Sequence, residues 1–148
     1  MVKVQRLHKD AIVPRFATLG SAGYDLCTLE DIELTPGGRL LIPFGWAFEI
    51  PEGLVGLLFI RSSFSKKGLY LANAVGVIDS DFRGELKALV HVDFLCSIME
   101  IPKGTPMVQL VIVPHINADV VEVTELRSTE RGSGGWGSTD KGGRGNEA

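Results

Sequence analysis

The sequence predicts a single all-β domain, a sandwich or barrel of short strands. Three observations predict it. Apolar residues alternate along several runs of strand length. Proline and glycine turn signals separate those runs. Only one short stretch, from Phe64 to Ala72, reads as a helix, and Gly68 interrupts it. Closely spaced short strands without alternating helices favour a sandwich or barrel over βαβ units.

The clearest strand lies between Leu40 and Ile50. Its even positions are Leu40, Ile42, Phe44, Trp46, Phe48 and Ile50. Leu54 to Ile60 is a second apolar run, opened by the turn Pro51-Glu52-Gly53. From Leu86 to Phe94 one face carries Leu86, Ala88, Val90, Val92 and Phe94. The other face carries Lys87, Leu89, His91 and Asp93, which gives His91 a solvent or interface position. Met107 to Val113 is apolar on nearly both faces and reads as a central strand. Asp119 to Glu125 reads as a shorter, β-branched strand. Turns are expected at Pro36-Gly37-Gly38, Pro51-Glu52-Gly53, Pro102-Lys103-Gly104 and Pro114.

The bulk properties set bounds. At 148 residues the chain suits one domain that buries about two thirds of its unfolded surface. A net charge of −3 offers no electrostatic footprint for nucleic acid or an anionic membrane. Cys27 and Cys96 stand far apart in no metal-binding spacing and are expected to be reduced. The start, Met1 to Asp10, has no apolar signal-peptide core, and no stretch is long and apolar enough to span a membrane. The expected location is the cytoplasm, or the host cytoplasm if the source is viral. From Arg131 the character changes: glycine is dense and Trp136 is the only large apolar residue. Such a segment cannot order itself alone. The domain is therefore expected over residues 1–130, with a flexible arm over 131–148.

Several residues could carry chemistry. Asp25, Asp79, Asp81 and Glu85 are expected in loops, where a carboxylate can handle a metal or a water molecule or simply cap a turn. Arg61-Ser62-Ser63 follows a strand and precedes the helical stretch. Hydroxyls, backbone N–H groups and a guanidinium there suit phosphate, and a serine there equally suits a helix cap. In the arm, Arg131, Ser138 and Thr139 stand among glycines whose N–H groups can wrap phosphate oxygens. None of His8, His91 and His115 stands in a motif with Ser or Cys, so covalent catalysis is disfavoured. Water activated by a carboxylate, with a divalent ion nearby, fits better.

In this order, the features resemble the trimeric dUTPase family through five motifs over nearly the whole chain. They are Ala22 to Leu26; Arg61-Ser62-Ser63 with Lys67-Gly68-Leu69; Asn73 to Glu85; Gly104 to Leu110, ending Val108-Gln109-Leu110; and Arg131 to Thr139. The resemblance implies a jelly-roll-like β-barrel of the β-clip kind, assembled as a homotrimer whose three subunits build each site together. It implies Mg2+-assisted hydrolysis of dUTP to dUMP and pyrophosphate, which limits uracil incorporation into DNA and supplies dUMP for dTMP synthesis.

The resemblance also implies roles. Asp79 would activate the water that attacks the α-phosphorus. Asp25 would hold the hydrated magnesium ion through water. Arg61, Ser62, Ser63 and Gln109 would contact the phosphate chain. Asn73 and the main chain of Gly76, Val77 and Ile78 would read uracil, with the ring of Phe82 under the deoxyribose. Arg131 would grip the γ-phosphate beside Gly137, Ser138 and Thr139, and Trp136 would stack over the base. Phe82 stands where the family has Tyr, Trp136 where it has Phe, Asp140 where it has Gly, Thr105-Pro106 where it has an acidic-basic pair, and Ile60 where it has Pro. Two rivals share the motifs in part. A dCTP deaminase would need a glutamate where this chain has Leu89. A nucleotide sensor with a regulatory protein partner would need a spare segment, and only residues 141–148 are spare.

Overall fold

A computed structural model of the chain describes residues 1–136. It is all-β and jelly-roll-like. The elements run β1 (Lys3–Arg6), β2 (Gly23–Cys27), β3 (Ile32–Leu34), β4 (Arg39–Glu49), β5 (Leu54–Ile60), α1 (Ser62–Ser65), β6 (Leu69–Leu71), β7 (Gly76–Ile78), β8 (Glu85–Val92), β9 (Met99–Ile101) and β10 (Pro106–Pro114). Two four-stranded antiparallel sheets form, in the orders β1-β4-β8-β6 and β2-β10-β5-β7, with β3 and β9 in a separate two-stranded ribbon.

The period-two residues define one core. Ile42, Phe44, Trp46, Phe48, Leu86, Ala88, Val90, Val92 and Leu71 come from the first sheet, and Leu26, Leu58, Val108 and Leu110 from the second. Each large side chain so buried contributes about 1.5–3 kcal/mol. As its two-sided apolar pattern predicts, β10 is internal, paired with β2 on one side and β5 on the other. In β4, Gly45 has a positive φ of 73° where the register with β8 shifts between Pro43 and Ala47. Its N–H donates to Glu85 Oε1 at 3.0 Å, so this carboxylate fills a gap in the ladder.

Several expectations are corrected. The helix is Ser62–Ser65, and Leu69–Leu71 is strand. Gly68, at φ 80°, ends the turn and reverses the chain. Phe94 lies beyond the end of β8 and is exposed. His91 is buried, its ring 4.9 Å from Tyr70 and 6.2 Å from Phe94, while Arg39 Nε donates to its Nδ1 at 3.4 Å. Aromatic neighbours thus cover a position that strand alternation assigns outward.

The compact unit holding all these strands ends at Asn117, and a second unit begins at Ala118. Its described residues, 118–136, contain no helix or strand, so the strand expected over Asp119 to Glu125 does not form within the chain. Val120, Val121 and Val123 are exposed. A β-branched run has no ladder without a neighbouring strand. Among the described residues no helix is long and apolar enough to cross a membrane. Cys27 and Cys96 are free and half-buried.

Candidate active site

The β2-β10-β5-β7 sheet turns Leu26, Leu110 and Leu58 inward. Its opposite face therefore carries Asp25, Gln109 and Phe59, which stand in register across β2, β10 and β5. Asp25, expected in a loop, is a strand residue. As a ladder residue opposite Gln109, it has its direction fixed by the sheet.

Arg61 closes this group. Its backbone N–H donates to the Met107 carbonyl at 3.1 Å, extending the β5–β10 pairing past the end of β5. Its Nη1 donates to the Pro106 carbonyl at 3.1 Å, and its Nε lies 3.3 Å from Asp25 Oδ1. The side chains of Asp25 and Arg61 are only 15% and 30% exposed, so the pair is held rather than loosely solvated. Gln109 Oε1 packs over Gly23, where a Cβ would lie only 3.1 Å from it. The result is a fixed acceptor, a fixed cation and an amide at one end of the sheet.

The Ser62 and Ser63 side chains are exposed on α1. Arg61, not a serine, occupies the N-cap position, and no side chain caps the helix. Their hydroxyls are thus not spent on capping this helix.

The Asn73 to Glu85 motif builds a separate patch. Asn73 is exposed in the reversal between β6 and β7, where Ala74 N–H donates to Leu71 O at 2.9 Å and Val75 N–H to Asn73 O at 2.7 Å. Ala74 takes a positive φ of 62°. Gly76, Val77 and Ile78 form β7, the edge strand beside β5. Its outer backbone groups are free to pair with another edge. Gly76 is buried against Leu58, where a Cβ would stand 3.0 Å away. Val77 is 62% exposed.

Asp79 follows β7 at the start of a turn that Phe82 N–H closes on the Asp79 carbonyl at 3.2 Å. It lines an open depression of about 590 Å³ together with Val55, Leu57, Val77, Ser80, Asp81 and His115. The Phe82 ring is part-exposed and folds over Gly84, where a Cβ would meet it at 2.6 Å. Arg83 Nη1 donates to the Ser80 carbonyl at 2.6 Å and pins the turn. Glu85, a carboxylate candidate, is instead committed to Gly45 N–H and stands 3.4 Å from Lys87 Nζ.

These two groups do not meet within one chain. Ile78 pairs with Gly56, so the register continued by one residue sets Asp79 opposite Val55, at the start of β5. Arg61 follows the other end of β5. Six strand residues separate those levels, roughly 20 Å. Arg131 and Trp136 lie in the second unit, both exposed. Gly137, Ser138, Thr139 and Asp140 lie outside the described residues.

Burial raises the Cys27 thiol pKa, the Asp25 carboxylate raises it further, and Arg15 and Arg61 partly oppose both. Cys27 stands two residues from Asp25 on the same strand face, and nothing in the sequence marked it or Arg15 as belonging to this neighbourhood.

The donor set can be tested against magnesium. Among the described residues no three His, Cys, Asp or Glu side chains gather as a metal cage. Asp25, a strand carboxylate only 15% exposed, is the residue that would hold a hydrated Mg2+ through water.

A sequence model of the dUTPase family matches residues 9–140. The chain belongs to the dUTPase family. The deoxyuridine 5'-triphosphate nucleotidohydrolase of Nautilia profundicola is 42% identical over 141 residues, covering 95% of this chain and 99% of that protein. That of Hydrogenobaculum sp. is 40% identical, covering 92% and 95%. Among solved structures, the Staphylococcus bacteriophage 80alpha dUTPase with dUPNHPP superposes with a TM-score of 0.87 at 30% identity, covering 94% of this chain and 98% of that one. A mutant dUTPase of Staphylococcus aureus phage phi11, described with a coordinated structural Mg(II) ion, gives 0.77 at 27% identity, covering 84% and 97%.

Proposed function

We propose that the chain hydrolyses dUTP to dUMP and pyrophosphate, with Asp79 as the water-activating carboxylate. The observation that carries this reading is the fixed Asp25–Arg61–Gln109 group on one sheet face of a dUTPase-family chain. A triphosphate needs cations and polar groups that offset charge building on its leaving group, and Arg61, Gln109, Ser62 and Ser63 supply them. Asp25 would hold the hydrated magnesium through water. When bound, the ion polarises phosphate oxygens and neutralises charge on the pyrophosphate.

Asp79 accepts the proton of the attacking water and needs no nucleophile partner. The edge backbone of Gly76 to Ile78, with Asn73, reads uracil by complementary hydrogen bonds. Cytosine reverses a donor and an acceptor and leaves buried groups unpaired. The Phe82 ring crowds a 2′-hydroxyl.

A general base must stand within hydrogen-bond reach of its water. Asp79 stands roughly 20 Å along β5 from Arg61, so a second copy has to bring its own Asp79 loop to this chain's phosphate group. The half-buried apolar residues between the two ends, Val55, Leu57 and Val111, with the exposed Val77, suit cover by that copy. We infer a homotrimer with sites shared between subunits, closed by the arm from Arg131 through Trp136 to Thr139. In this reading the enzyme limits uracil incorporation into DNA and supplies dUMP for dTMP synthesis, in the cytoplasm or in the host's if the source is viral.

The test is pyrophosphate release from dUTP, dCTP, dTTP and UTP, with and without magnesium. Magnesium-dependent release from dUTP alone is expected. Release of ammonia from dCTP, or silence on all four nucleotides from folded protein, would overturn the reading.

A further inference from the structure

The segment ahead of β2 carries a cation that none of the five motifs includes. Arg15 forms an isolated antiparallel bridge with Asp25, whose N–H donates to the Arg15 carbonyl at 2.9 Å. Bridge partners share a face. Arg15, Asp25 and Gln109 therefore make one row across the sheet, on the face where Arg61 Nε meets Asp25.

The register of this bridge is pinned. Phe16 stacks on Tyr24 with ring centroids 4.2 Å apart, one step along the same pairing. Trp46 Nε1 donates to the Ile12 carbonyl at 2.9 Å, and Thr18 N–H donates to Ser21 Oγ at 3.0 Å. Anchors thus hold the segment on both sides of Arg15. Arg15 itself is exposed, and among the described residues it has no ion-pair partner within 4.0 Å. Asp25 already has Arg61, so a second guanidinium beside it is more than this carboxylate needs.

We propose that Arg15 is a further substrate-positioning residue, a second cation beside Asp25 and Arg61 that binds the pyrophosphate end of the nucleotide. This rests on the reading of Asp25, Arg61 and Gln109 as the phosphate group of a dUTPase. A guanidinium suits a polyphosphate, whose paired oxygens it meets with two parallel N–H donors. It would hold charge that the β- and γ-phosphates already carry in bound dUTP as well as in the transition state, so its loss is read mainly in KM and pyrophosphate affinity.

The test uses the full chain with Arg15→Gln, Arg15→Lys and Arg61→Ala. Magnesium pyrophosphate and dUMP affinities are measured by calorimetry, and kcat and KM by dUTP turnover. Arg15→Gln should weaken pyrophosphate about tenfold and raise KM for dUTP comparably, with kcat and dUMP affinity within about twofold. Arg15→Lys should recover most of the loss. Unchanged pyrophosphate affinity in Arg15→Gln would overturn the proposal, even with a lowered Tm, since that is the signature of a structural bridge only. If wild-type protein fails to turn over dUTP, the functional reading fails. The pyrophosphate arm then decides on Arg15 alone, and Arg61→Ala shows whether this face binds the anion at all.

Discussion

Arg61 and Asp79 stand at opposite ends of the same strand, β5, with Arg61 just past its C-terminal end and Asp79 level with its first residues. The separation is roughly 20 Å. In the proposed function it divides the chemistry into two halves, one for phosphate and the other for water and base.

Asp79→Asn keeps the turn geometry and loses the proton acceptor. Turnover of dUTP should fall by about 10²–10⁴-fold, the usual worth of a general base, while dUMP and dUPNHPP affinities change little. Rapid-quench turnover beside calorimetry checks this. Turnover within tenfold of wild type would remove Asp79 from the role of base.

Glu85 is a structural carboxylate in this account. Glu85→Ala leaves the Gly45 N–H without its acceptor in a part-buried bulge and should cost about 1–3 kcal/mol in urea unfolding. Glu85→Gln keeps an oxygen in place and should cost less. Gly45→Ala meets a positive φ of 73° and would bring its Cβ to 2.8 Å from the Cβ atoms of Ala11 and His8. It should cost at least as much, about 1–3 kcal/mol.

How much was legible in the sequence follows from what each signal depends on. The alternation from Leu40 to Ile50 and the two-sided apolar run at Met107 depend on one sheet and one core, and both elements form where expected. The run at Asp119 has the same β-branched composition, yet it forms no strand and Val120 is 98% exposed. Propensity names a strand; a neighbour makes one. Asp25 failed as a loop residue because the glycine before it reads as a turn, whereas Gly23 is glycine to let Gln109 close over it. The candidates Asp25, Arg61 and Gln109, which the fold brings together, were legible through the five motifs. Arg15 was not, because its place beside Asp25 comes from a bridge between segments that no spacing rule connects.

Cys27 gives the fold a pH dependence. Its folded-state pKa is raised, first by burial and then by Asp25, so the native state holds the thiol proton more tightly than the unfolded chain. That stability is fully present below the ordinary thiol pKa and is lost as pH rises towards the folded value. Between pH 7 and pH 10 the urea midpoint of the wild type should fall more steeply than that of Cys27→Ser. Parallel curves would contradict the assignment.

Ending the chain at Glu130 removes Arg131 and Trp136 and leaves every strand of the compact unit. The shortened protein should keep its β-sheet circular dichroism and cooperative unfolding, with dUTP turnover down at least about tenfold. In the full chain, Trp136 is wholly exposed, so its fluorescence should shift when dUPNHPP binds. Normal turnover by the shortened chain would refute the arm's role.

Subunit complementation tests the shared site most directly. Asp79→Asn and Arg61→Ala should each be nearly inactive on their own if the chain assembles as the proposed homotrimer. In mixed trimers made by co-expression, an Asp79 from one subunit can meet an Arg61 from another. With random 1:1 mixing about a quarter of the sites combine two intact halves, and turnover should recover to about that fraction of wild type. No recovery from mixed trimers of confirmed composition would mean that one chain supplies both halves, and the division of the site along β5 would be wrong.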